Sequence, residues 1–133
     1  MVDVTSVESI VFSRLLNKYG SQLSAKFPNI NFTTSDREPV NPAFPTVYVH
    51  ELSSSEVGAT LDGIDISGIN SNIQIEVVDN KTADNVRYVF KVLLKGMKEL
   101  GYNIVSMPVS QNTQSIYKQI ARFNRVYGNG DVI

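Results

Sequence analysis

Thr82–Tyr102 runs TADNVRYVFKVLLKGMKELGY. Ala83, Val86, Val89, Phe90, Leu93, Met97 and Leu100 recur three and four residues apart, the spacing of an amphipathic helix with one apolar face. Gly101 suits the left-handed position after a last helical turn, and Lys95 and Lys98 suit the negative end of the helix dipole. The alternating segment Ile73-Gln74-Ile75-Glu76-Val77 runs into this helix, and two strand-like segments follow it. That order predicts a small α+β architecture.

The segments before it complete the pattern. From Val4 to about Lys26 an apolar face of Val7, Ile10, Val11, Leu15, Leu16, Tyr19 and Leu23 predicts a first helix. Thr5 or Ser6 is placed to cap it and Glu8 stands in its first turn. Gly20 predicts a weak point near its end. Ile30–Thr33 is a short candidate strand. The polar, proline-bearing stretch 35–42 reads as a surface connection. Thr46–Leu52 is β-branched and aromatic, a strand with Val47 and Val49 towards the core.

Ser53–Asn72 is unusual. It holds Gly58, Gly63 and Gly68, the carboxylates Glu56, Asp62 and Asp65, and no Lys or Arg. The strands on either side look like an antiparallel pair, yet hairpin connections usually take about two to five residues. The alternatives are a long projecting β-ribbon or a loop, and Ile64, Ile66 and Ile69 favour the ribbon. After the second helix, Tyr102–Val109 reads as a strand with Pro108 near its end. Ile116–Tyr127 reads as the last strand. Tyr117, Gln119, Ala121, Phe123, Arg125 and Tyr127 share its buried side, and Ile116, Lys118, Ile120, Arg122, Asn124 and Val126 share the other. The whole, 1–133, is expected to be one domain: a single, mostly antiparallel sheet with two helices packed on one face.

Composition narrows the function. The 133 residues are 42% hydrophobic, enough for a core, and carry a net charge of −1. No bulk positive charge draws the chain to nucleic acid or to an anionic membrane. With no cysteine, disulfides, thiolate catalysis and cysteine-bound metal are out. The first residues show no secretory signal pattern, and no apolar run reaches the ~20 residues of a membrane span. The expectation is a soluble protein made and used in cytoplasm.

Catalytic signals are sparse. His50 is the only histidine and belongs on the solvated side of its strand, with Glu51 on the other side. Gly128-Asn129-Gly130 has no helix after it and reads as a turn. Glu56, Asp62 and Asp65 do not match a calcium-loop spacing and read as a solvated acidic segment. No catalytic, cofactor or metal-binding residue is expected. Lys118, Arg122 and Arg125 form the basic cluster that the sequence offers. It reads either as a charged strand edge guarded against stray pairing or as one half of an inter-subunit ion pair with Glu56, Asp62 and Asp65. Function is therefore expected to lie in assembly or binding surfaces.

In that setting a resemblance stands out. Phe44-Pro45-Thr46-Val47-Tyr48-Val49-His50-Glu51 resembles the FPxVxVxE strand of the small tail-completion proteins of long-tailed bacteriophages. Ile73–Val77 is similar to their next strand, and Met97–Tyr102 to their helix end. Ile120–Tyr127 is similar to their closing strand, though less basic. The likeness spans nearly the whole chain and points to a tail terminator or head–tail joining protein. It implies a homo-hexameric ring at the head-proximal end of the tail tube, without cofactor or catalysis. Such a ring stops tube polymerisation and then meets the head connector, while DNA passes through the lumen without sequence-specific contacts. The implied location is the virion, after assembly in host cytoplasm. On this reading 53–72 projects to bind the tail tube or a neighbouring subunit. Two alternatives stand beside it. One is a neck or connector protein of a contractile tail or tail-like particle. The other is a small α+β host adaptor or nucleic-acid-binding module, against which the lack of a basic face counts.

Overall fold

A computed structural model describes residues 7–33, 44–56, 68–113 and 116–128. In chain order they form α1 (Val7–Lys26), β1 (Asn31–Thr33), β2 (Thr46–Glu56), β3 (Gly68–Asp79), α2 (Ala83–Glu99), β4 (Asn103–Ser110) and β5 (Tyr117–Gly128). The strands make one sheet in the order β1-β2-β3-β5-β4. Only β1–β2 is parallel; the other pairs are antiparallel. The α+β class, with two helices against a mostly antiparallel sheet, is as the sequence predicts.

The centre is β3, whose residues alternate strictly. Ser71, Ile73, Ile75, Val77 and Asp79 are buried, while Asn72, Gln74, Glu76 and Val78 between them are half-buried. A period of two with one dry side is what a strand does when a single face of its sheet is covered. Cross-strand register extends that dry side. Val49 stands opposite Ile75 and Val47 opposite Val77. On the other flank Phe123 stands opposite Ile73 and Ala121 opposite Ile75. Val86, Val89, Phe90, Leu93 and Met97 of α2 and Val11, Leu15, Tyr19 and Leu23 of α1 close over them in one core. Burying each large apolar side chain contributes roughly 1.5–3 kcal/mol.

Both ends of α2 are tied to the sheet. At its start, buried Asp79 accepts from the backbone N–H groups of Lys81 and Thr82 and from the Asn85 amide, at 3.0–3.1 Å. A carboxylate there suits the positive end of the dipole. Thr82 is the N-cap, its hydroxyl accepting from the Asn85 N–H at 3.3 Å. At its end Gly101 has φ +86°, as its place in the sequence predicts. The next residue, Tyr102, is buried with its hydroxyl 3.0 Å from Ser71 Oγ. The expected weak point at Gly20 does not break α1, which runs on through it to Lys26. Gly20 is buried, with the Leu16 side chain from one turn earlier lying beside it, and a propensity cost of about 1 kcal/mol is not enough to end the helix. The proposed caps Thr5 and Ser6 lie outside the described residues.

The helices meet where α2 has no side chain. A Cβ on Gly96 would stand 2.7 Å from Leu15 Cδ2 and 2.8 Å from Tyr19 Cε2. Beside this contact Glu99 accepts hydrogen bonds from Lys18 and Tyr19. Those bonds, first from Lys18 and then from Tyr19, hold the Glu99 carboxyl below its ordinary range. Gly96→Ala should therefore destabilise despite the gain in helix propensity. Overpacking costs about 1–3 kcal/mol against about 1 kcal/mol from propensity, so the denaturation midpoint should fall. A raised midpoint would mean that the interhelical contact is looser than this.

Candidate functional site

Among the described residues the helices cover one face of the sheet and nothing packs on the other. On the open face Arg122 Nε donates to Gln74 Oε1 at 3.1 Å, Gln74 donates to Glu76 at 2.9 Å, and Lys118 Nζ stands 3.6 Å from Glu76. This chain of polar contacts crosses from β5 to β3 and fixes the orientation of four long side chains. Beside it Asn124 donates to Asn70 and, at 3.0 Å, to Asn72. Tyr48 and His50 stack on each other two residues apart on β2, ring centroids 6.3 Å apart. His50 is half-buried on the open side, as alternation predicts. Half-buried Ile120 and Val78 lie among these groups.

The open face continues to β4, an edge strand with no neighbour on its outer side among the described residues. Val105, Met107 and Val109 are 66%, 62% and 54% exposed. Two irregularities interrupt its pairing with β5, between Ile104 and Ser106 and between Ser106 and Val109. Pro108 falls in the second, where a missing N–H is tolerated. An edge strand offers unpaired backbone donors and acceptors to another chain. Three adjacent exposed apolar side chains add a hydrophobic contribution to that offer.

The residues singled out from sequence are only partly brought together. Lys118 and Arg122 share the open face. Arg125 points to the helix side, opposite Ser71, and donates to the Leu100 carbonyl at the end of α2. The three are therefore not one cluster, because side chains an odd number of residues apart on a strand take opposite faces. Nor is β5 an edge to be guarded, since β4 pairs along it. The β2–β3 connection is a ribbon as far as it is described: Ser53–Glu56 pairs with Ile69–Asn72. Asp62 and Asp65, like Ile64 and Ile66, lie outside the described residues, and of Glu56 only the backbone is described.

The sequence reading missed a basic face. Arg87, Lys91, Lys95 and Lys98 are all exposed on α2. At ~100° per residue they share a sector of roughly 80°, opposite the core-facing side. Their spacing of four, four and three was the available signal. Arg87 pairs with Asp84 at 2.8 Å; Lys91, Lys95 and Lys98 make no ion pair among the described residues.

Two half-open clefts lie among the described residues. One, of about 220 Å³, lies between the helices beside Arg14, Lys18, Tyr19 and Glu99. The other, of about 110 Å³, lies beside Phe27, Phe44 and Asp79. Among the described residues no three His, Asp or Glu side chains converge as a metal site would need. No helix there is long and apolar enough to cross a membrane. The sequence matches no protein-family model and no curated protein.

The two arginines of β5 should behave differently. Arg125→Gln removes a cation and a charged donor from the end of α2 and should cost about 1–2 kcal/mol. Arg122→Gln, on the open face, should stay within about 0.5 kcal/mol. Equal losses in chemical denaturation would contradict the assignment of the two side chains to opposite faces.

Proposed function

We propose that this chain is a phage structural protein that caps the head-proximal end of a long tail tube. As a homo-hexameric ring it would stop tail polymerisation and join the tail to the head. The observation that carries this reading is β4, an edge strand with exposed apolar side chains on a sheet that, among the described residues, is covered on one face. A protein whose work is contact needs such unfinished surface. A ring needs heterologous contacts, one patch meeting a different patch on the next copy, closed by rotation. The order of strand, ribbon, helix and closing strand supports the reading through the resemblance of Phe44–Glu51, Ile73–Val77, Met97–Tyr102 and Ile120–Tyr127 to tail-completion proteins. The partners on this reading are further copies, the tail tube protein and the head connector, with DNA passing through the lumen.

Place within the virion is the finer part of the proposal; a neck protein of a contractile tail or tail-like particle would use the same surfaces. The α2 ridge is the one observation that favours a nucleic-acid-binding module instead. A net charge of −1 weighs against it, because backbone binding is driven by net neutralisation of phosphate.

The test is negative-stain imaging of the protein alone and with purified tail tubes. Closed rings, free or seated on one end of the tubes, are expected. Met107→Lys with Val105→Lys should leave the helical circular dichroism intact and abolish rings and caps. Bare tube ends in every sample, or a double variant that caps as well as the parent, would overturn the proposal.

A further inference from the structure

The near-zero net charge hides a segregation. The two helices carry seven Lys and Arg against three carboxylates, and the rest of the chain carries five against ten. On α2 the exposed residues are Asp84, Arg87, Lys91, Lys95, Lys98 and Glu99, all of them charged. Its two carboxylates are engaged, Asp84 with Arg87 and Glu99 with Lys18 and Tyr19. Lys91, Lys95 and Lys98 face solvent with no ion pair among the described residues. The ridge from Arg87 to Lys98 spans ~16 Å along the helix, with successive cations about 5–6 Å apart.

The positive surface does not stop at α2. The cleft of about 220 Å³ between the helices is walled by exposed Arg14 and Lys18 of α1, beside Gly96 and Glu99. Glu99 is held ionised first by its bonds from Lys18 and Tyr19, and then by the charges of Lys18 and Lys95. Lys95 thus joins the ridge to the cleft. At physiological salt the Debye length is about 8 Å, less than the roughly 10–12 Å thickness of a helix. Glu76, on the open face of the sheet, is therefore screened from this surface. The net charge of −1 limits how tightly the chain holds a polyanion, not where it does so.

We infer that this helix face is a second binding surface, one that takes the phosphate backbone of duplex DNA without reading its sequence. The side chains choose the occupant. A protein partner is held by a buried apolar or aromatic centre from which lysine is depleted, and α2 exposes no apolar residue. Single strands stack their bases on aromatic rings. Of the two rings on α2, Phe90 is in the core and Tyr88 is half-buried beneath Lys26, whose Nζ lies 3.6 Å from the ring centre. A row of lysines needs neither an apolar centre nor a ring, because each is a compact cation for a phosphate oxygen. Such contacts carry no sequence information. The surface is separate from β4 and does not depend on the tail-capping reading.

The test is fluorescence anisotropy of a short labelled DNA duplex with the full chain, between about 50 and 200 mM salt. Each phosphate neutralised adds about −0.9 to the slope of log K against log salt, so three unpaired lysines and Arg14 set an expected slope between about −3 and −4. Two variants lower the charge equally: Lys91→Gln with Lys95→Gln on the ridge, and Lys118→Gln with Arg122→Gln on the open face. Unchanged thermal unfolding checks that both fold. The ridge variant should lose at least about tenfold in affinity at the lower salt and flatten the slope by about 2, while the open-face variant stays within about twofold of the parent. Duplexes of unrelated sequence should bind alike. No binding by the parent at the lower salt, equal losses in the two variants, or a strong preference for one sequence would each overturn the inference. So would displacement of the duplex by polyglutamate at equal charge, which would make the occupant an acidic protein surface.

Discussion

Everything in this chain depends on covering β3 from one side. Ser71, Ile73, Ile75, Val77 and Asp79 are at most 1% exposed, and each makes a contact that fixes something else. The three aliphatic residues set the plane on which both helices pack. Asp79 anchors the start of α2, and Ser71 reaches Tyr102 just after its end. The missing side chain of Gly96 then lets α1 settle against α2. A one-residue shift of register would turn every one of these groups to the open face.

The same constraint creates the candidate surface. Among the described residues two helices cover one face of five strands, and polar cross-strand contacts occupy much of the other. Those contacts are satisfied internally: Arg122 with Gln74, Gln74 with Glu76, Glu76 with Lys118, and Asn124 with Asn70 and Asn72. Such a face is tolerant of water and of a partner alike. The edge strand β4 differs, because exposed Val105, Met107 and Val109 gain only when something covers them. Together with the ridge on α2, the described residues present three surfaces of different chemistry.

Much of the fold was legible because its signals are local. The period of α2, the strict alternation of β3 and the dry side of β5 through Ala121 and Phe123 all appear in the sequence. Strand order was not legible, since nothing in Ile116–Tyr127 says that it inserts between β3 and β4. That placement decides whether Lys118 and Arg122 guard an edge or cross-brace the interior of a sheet. Arg125 could have been separated from them by parity alone. The basic ridge was hidden by a net charge near zero, and its spacing becomes meaningful only once the core side of α2 fixes which way the lysines point.

The central claim is that β4 is an unfinished edge completed by another chain. Hydrogen–deuterium exchange of β4 in the dispersed protein and in particles assembled with tail tubes tests it most directly. The account predicts fast exchange of the outward-facing β4 amides in the dispersed protein and strong protection after assembly. Amides already protected in the dispersed protein, or exchange that is the same in both states, would contradict it.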